Sequence, residues 1–256
     1  MRLSPEQKAR YWQEGCLLLP GLFPPALLQR FEARFLELIT GQIPRPDSMI
    51  VMRDVAFVNG SKTAETPVHE VNKILAFEDD AVLYSHSLYP ALLSAVRELI
   101  GVELMTLTTN VINKPPSIDS RHPLHQDLRY FTLRPEDGSI AAWTALDATN
   151  RENGCLSVIP ASHRKGLHEH GEPDWPEFNF GFFAARGVDL EKRQHIEMQA
   201  GDTLLFHPLL VHGSGRNRST GFRRAISTHY ASIDCRRPPG KRKRDPMMRR
   251  IPDPAP

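Results

Sequence analysis

Cysteine is scarce in this chain of 256 residues: Cys16, Cys155 and Cys235 are an odd number, far apart, and no CxxC pair occurs. That pattern excludes a disulfide-stapled scaffold and a thiolate zinc site, and reduced thiols in a reducing compartment are expected. Long apolar runs are also missing. None approaches the roughly 18 residues a membrane helix needs. The opening MRLSPEQKAR lacks the apolar stretch of a secretory signal, and the closing PDPAP lacks a peroxisomal tripeptide, so a cytoplasmic protein is expected. Hydrophobic residues make up 40% and charged residues 24%, close to the globular average, which excludes a fibrous or wholly disordered chain. One sizeable core, hence one domain, follows from the length.

Charge of one sign is lacking overall, at a net +2, but it is unevenly spread: residues 236–256 hold eight Lys or Arg against two Asp. The rest of the chain is therefore net negative, which argues against a nucleic-acid partner. We expect a domain over 1–235 and a basic, disordered tail over 236–256, because KRKR at 241–244 lies among prolines that cannot pack a core. A solvated tail, a nuclear-import or nucleic-acid patch, and an arm meeting a phosphorylated substrate all stay open for that run.

The first hundred residues have helical periods. Ser4-Pro5 followed by acid predicts a capped helix to about Glu14, stopped by Gly15. A short apolar strand at 16–20 precedes a helix opened by Pro24-Pro25, with Leu27, Leu28, Phe31, Phe35 and Leu38 on one face. Residues 41–68 read as a long irregular stretch, a candidate lid or binding loop. Tyr89-Pro90 opens a third helix that Gly101 closes. From Glu103 the period changes to short β-rich runs at 103–112, 139–146, 155–160, 203–212 and 223–233, separated by turn signals such as Asn153-Gly154. Many short strands without alternating helices predict a mainly β, antiparallel jelly roll, cupin-like, with the N-terminal helices bracing its outside.

His125-Gln126-Asp127 supplies an imidazole and a carboxylate at i and i+2, which an extended chain points to the same side. His212 ends an apolar run 87 positions later, where an antiparallel neighbour can bring it to the same point. Two His and one carboxylate on one face of a metal make the facial triad of non-haem Fe(II) oxygenases, with three positions left open. Arg223 begins the strand that returns after the turn GSGRNRSTGF, and its guanidinium suits the far carboxylate of a bound diacid. His207, five before His212, falls on the opposite face of a regular strand and reads as structural, whereas His229 shares the face of Arg223.

The stretches INKPP (112–116), SRHPLHQDLRYF (120–131), AWTAL (142–146), ENGCLSVIPASH (152–163) and GDTLLFHPLLVHGSGRNRSTGFRRAISTHYAS (201–232) closely resemble the phytanoyl-CoA dioxygenase family. The resemblance implies a double-stranded β-helix, with Fe(II) as cofactor, 2-oxoglutarate and O2 as co-substrates, ascorbate as a further requirement, and hydroxylation at the 2-position of a branched or long-chain acyl-CoA. It implies His125, Asp127 and His212 as iron ligands and Arg223, supported by Ser214, as the clamp on 2-oxoglutarate. Lys73, Gln126 and Trp143 match further co-substrate positions. Asn110 falls in that pocket too, where a family enzyme carries methionine. In related halogenating enzymes a small residue replaces the carboxylate; Asp127 therefore argues for hydroxylation.

Substrate is less sharply specified. Arg121, Arg129, Arg164, Lys165 and the basic tail are available for coenzyme A phosphates. The loop 164–190, with Trp175, Phe178, Phe180, Phe182 and Phe183, is a candidate apolar lid. The same chemistry on a small metabolite without coenzyme A, and a non-catalytic jelly-roll binding protein, remain alternatives. A monomer is expected, and the peroxisome, where eukaryotic relatives act, is the alternative location.

Overall fold

The computed structural model describes residues 1–239 and 248–252. Ser4 begins the first helix with a reciprocal capping box, its hydroxyl accepting from the Gln7 amide while Gln7 Oε1 accepts from the Ser4 amide. α1 (Pro5–Glu14) ends at Gly15, whose φ of 82° suits a residue without Cβ. α2 (Pro25–Ile39) follows, then the short α3 (Val55–Val58), α4 (Pro67–Glu70) and α5 (Ala81–Tyr84), and finally α6 (Pro90–Ile100).

Among the described residues the strands are β1 (Cys16–Leu19), β2 (Ile50–Arg53), β3 (Val71–Leu75), β4 (Leu104–Lys114), β5 (His122–His125), β6 (Ser139–Ala145), β7 (Leu156–Val158), β8 (His170–Gly171), β9 (Ala184–Ala185), β10 (Gln194–Ile196), β11 (Thr203–Phe206), β12 (His212–Ser214), β13 (Arg223–Ser232) and β14 (Arg249–Arg250). A large antiparallel sheet runs β1-β11-β6-β13-β4-β3-β2, with β14 added to the free end of β4, and a smaller one runs β10-β7-β12-β5. This is the jelly roll the sequence predicts.

The central strands show no hydrophobic alternation because both faces of the large sheet are covered; all seven residues of β6 are buried. Parity still sorts them. Ala142, Leu205, Ile226 and Val111 pack beneath Phe31, Phe35, Leu92 and Val96 of the helices. Ala141, Trp143, Leu204, Phe206 and Ala225 face inward against Leu156 and Val158 of the smaller sheet. The inward row across the large sheet, Lys73 beside Ile112 beside Ala225 and Asn110 beside Ser227 beside Trp143, lines the floor of the roll.

Three expectations change. Residues 41–68 are not one irregular loop: β2, α3 and the start of α4 lie within them, and β2 pairs with β3 at the sheet edge. The apolar run 203–212 is two strands, because the chain turns at His207, whose Nδ1 accepts from the Leu209 amide at 3.1 Å, and re-enters as part of the other sheet. Lastly, the expected tail is partly ordered. Arg249 and Arg250 pair with Thr106 and Met105, and Ile251 is buried in the main core, since an apolar side chain can dock where a charged run cannot. The KRKR run lies outside the described residues. No helix among the described residues is long and apolar enough to cross a membrane.

Candidate active site

His125 ends β5 and His212 opens β12, and the two are register partners. Gln126 is extended at φ −125° and ψ 130°, so Asp127 stays on the side of His125 before the chain closes into a single tight turn. Ligand atoms of His125, Asp127 and His212 all lie within 4.8 Å of one another, and the three residues are buried. His125 Nε2 stands 3.4 Å and His212 Nε2 3.7 Å from Asp127 Oδ1.

Each imidazole is oriented from behind. His125 Nδ1 donates to the Pro123 carbonyl at 2.8 Å and His212 Nδ1 to the Leu210 carbonyl at 2.9 Å. A carbonyl only accepts, so the proton sits on Nδ1 and each Nε2 presents a lone pair to the centre. Burial, then the neighbouring His125, lowers the His212 pKa to about 4, which keeps that ring a neutral ligand. Asp127 Oδ2 accepts from His229 Nε2 at 3.0 Å, which leaves Oδ1 for a metal. Burial alone would raise the carboxyl pKa, but His212 and His229 outweigh it and hold the group well below the usual range. Two imidazoles and one carboxylate form the donor set of a mononuclear Fe(II) site.

A small cavity opens beside this centre. Lys73, Asn110, Trp143, Ser214 and Arg223 line it together with His122, Lys114 and Phe182, and among the described residues no carboxylate does. Arg223 is 1% exposed. Its Nη2 donates to the Gly154 carbonyl at 3.0 Å, yet Nε and Nη1 are buried without a partner. Burial has lowered its pKa to about 10, and burial likewise lowers Lys73 to about 8, with Asp127 opposing. Lys114 Nζ is held by the carbonyls of Ser120 and Gly215. A desolvated, cationic chamber with two idle guanidinium donors fits a small dianion such as 2-oxoglutarate.

Of the residues singled out from sequence, the structure gathers eight around this centre and removes one. Gln126 does not face the cavity. Its Nε2 donates to the Gly166 and Leu209 carbonyls at 2.8 and 2.7 Å, and its Oε1 accepts from the His168 amide at 2.7 Å. Between two ligands that point one way, strand parity sends the middle side chain the other way. The same parity separates Arg224 from Arg223: Arg224 pairs with Glu32 of α2 at 2.5 Å. His207 is structural, bound to Asp137 at 3.0 Å.

Lys114 and His122 are lining residues that the sequence does not mark, and Phe182 is marked only as one of the aromatics of the candidate lid. His122 stands three before His125, an odd spacing that a regular strand turns outward; a register shift between His212 and Ser214 turns it in. Phe182 is the one member of the aromatic loop that caps the cavity, 4.0 Å from the His122 ring and 4.7 Å from Lys73 Nζ, while Phe180 is 96% exposed.

Comparison with known proteins agrees with this geometry. The family profile of phytanoyl-CoA dioxygenase (PhyH) matches residues 11–225. A probable phytanoyl-CoA dioxygenase of Caenorhabditis elegans is 42% identical over 91% of this chain and 77% of its own length. The peroxisomal phytanoyl-CoA dioxygenase of Homo sapiens is 41% identical over 91% of this chain and 70% of its own. Among solved structures, the epimerase SnoN in complex with Fe3+, alpha ketoglutarate and nogalamycin RO superposes with a TM-score of 0.68 at 19% identity, covering 98% of this chain and 94% of that one. EctD from S. alaskensis, solved with 2-oxoglutarate and 5-hydroxyectoine, gives 0.66 at 18% identity over 90% and 77% of the two chains. A match across most of the chain, with both relatives covered beyond two thirds of their length, places this protein in the phytanoyl-CoA dioxygenase family.

Proposed function

We propose that the protein is an Fe(II)- and 2-oxoglutarate-dependent dioxygenase that hydroxylates the 2-position of a branched or long-chain acyl-CoA, releasing succinate and carbon dioxide. The observation that carries this reading is the buried His125–Asp127–His212 centre beside a cavity in which Arg223 keeps two donors free. Relatives 41% and 42% identical to this chain over the aligned residues are named for phytanoyl-CoA, and that supports the thioester.

His125, Asp127 and His212 would hold the iron. Bound there, the metal supplies a Lewis acid with positions open for co-substrate and O2. Arg223, with Ser214 in the same cavity lining, takes the far carboxylate of 2-oxoglutarate in a charge-assisted pair. Lys73 and Asn110 complete the polar wall, and Trp143, with Arg223 5.5 Å from its ring, keeps the chamber dry and the guanidinium fixed. Held on both ends, the co-substrate has one orientation, and the C–H bond attacked is decided by where the acyl chain is laid. Ascorbate would serve as the reductant that keeps bound iron in the Fe(II) state. We take the protein to act as a cytoplasmic monomer, although the human relative is named peroxisomal.

The test is anaerobic reconstitution with Fe(II), followed by 2-oxoglutarate, O2 and either phytanoyl-CoA or free phytanic acid. Succinate matched by one added oxygen on the thioester alone is the expected result. Succinate without hydroxylated thioester redirects the same chemistry to a small metabolite, and no succinate under any condition leaves a binding protein.

A further inference from the structure

We propose that an arginine-lined groove outside the active site holds the phosphorylated nucleotide handle of the substrate; this rests on the acyl-thioester reading above. The groove, of about 930 Å³, is bordered by Arg121, Arg151, Arg186, Arg193, Arg216 and Arg218. These come from four separate segments of the chain, so the fold, not a local charge run, assembles them. Against six guanidinium groups stand Asp174 in the lining and Asp119, which pairs with Arg121 at 2.7 Å and Arg216 at 3.0 Å. The side chains of Arg151, Arg193 and Arg218 make no hydrogen bond or ion pair among the described residues. So many like charges facing one concavity repel each other unless an anion enters, and planar forked donors match phosphate oxygens two at a time.

Two further features give the groove a direction and a chemistry. His122 and Ser214 border both this groove and the cavity beside the metal centre, so a ligand anchored among the arginines runs toward the reacting end. Trp175 lies in the same lining with the Arg121 guanidinium 4.3 Å from its ring, an aromatic plane of the kind on which purines stack. Several phosphates and a purine on an acyl carrier describe the 3′-phosphoadenosine diphosphate end of coenzyme A. The sequence offered Arg121, Arg129, Arg164 and Lys165 for this task; only Arg121 is in the groove. Arg164 is turned to the Trp12 carbonyl and Arg129 stacks on Phe183.

The experiment compares the wild-type chain with an Arg193→Gln/Arg218→Gln double variant, first confirming by thermal melting that the variant is folded. Calorimetric titration with adenosine 3′,5′-bisphosphate is expected to show binding to the wild type and at least tenfold weaker binding to the variant. In turnover, the wild type should have a KM at least tenfold lower for the coenzyme A thioester than for the pantetheine thioester of the same acid, and the variant should lose that advantage. Succinate from both thioesters at equal KM, or an advantage the variant retains, would overturn the groove while the acyl-thioester reading stands. Binding of anionic vesicles that the variant loses, with its KM ratio unchanged, would overturn it too by assigning the arginines to a surface. Succinate from neither thioester would remove the acyl-thioester reading itself, and the groove with it.

Discussion

His229 donates from Nε2 to Oδ2 of Asp127 at 3.0 Å, while Oδ1 of the same carboxylate faces both ligand histidines. The pair fixes which oxygen is offered to a metal and keeps the carboxylate from rotating. His229→Ala should therefore weaken Fe(II) binding about 10- to 100-fold, the range seen when such supporting partners are removed. Titration of the metal-free protein under anaerobic conditions measures it, and His229→Gln, which keeps a donor, should recover part of the loss.

Removing a ligand outright has a different signature. His125→Ala should abolish stoichiometric Fe(II) binding and 2-oxoglutarate turnover and leave the circular dichroism of the metal-free protein unchanged, because the imidazole is a ligand at a strand end and not part of the apolar clusters. Retained turnover would contradict the assignment.

Arg223 and its neighbour should separate cleanly. Arg223→Ala is expected to raise the KM for 2-oxoglutarate by about one to two orders of magnitude, since a charge-assisted hydrogen bond is worth about 1.5–3 kcal/mol. Arg224→Ala, which faces α2 and Glu32, should leave that KM alone and lower the melting temperature slightly.

Gln126 is expected to behave as a strut. Gln126→Ala leaves the buried Leu209 carbonyl and the part-buried Gly166 carbonyl and His168 amide without this partner, the buried one costing about 1–3 kcal/mol, so the melting temperature should fall below that of Arg224→Ala. A rise in the KM for 2-oxoglutarate with no loss of stability would instead return Gln126 to the pocket.

Acid should destabilise the fold through His86. It is fully buried between Thr144 and Thr228, with Phe23 stacked on its ring at 4.9 Å, and burial lowers its pKa from 6.5 to about 3. The unfolded chain binds that proton first, so the contribution is intact above about pH 6.5 and shrinks as pH falls toward about 3, by about 1.4 kcal/mol per pH unit. His86→Gln should flatten the acid limb of a stability-against-pH curve by about that slope; an identical limb would sink the idea.

The sequence made the chemistry more legible than the walls around it. His125 and Asp127 are readable because two residues suffice for one side of an extended chain, and His212 because it closes an apolar run. Parity alone turns Gln126 away from the pocket, but the resemblance that placed it there overrode that rule. What stayed hidden depends on irregularity or on distance. His122 needs a register shift, Phe182 is one aromatic among five in a loop, and the arginine groove draws on four segments that only the closed roll brings together. The edge strand β2 was lost in a proline-rich stretch because a strand paired on one side, with mixed exposure, leaves little pattern.

The register pairing of His125 with His212 also gives the metal a mechanical meaning. An ion held by those two side chains and Asp127 would tie together ligands 87 positions apart in the chain, which come together only in the folded roll. Because the ion binds the folded chain far better than the unfolded one, every tenfold rise in free Fe(II) above its dissociation constant adds about 1.4 kcal/mol to the stability of the roll. Added Fe(II) should thus raise the melting temperature of the purified protein as well as support its turnover.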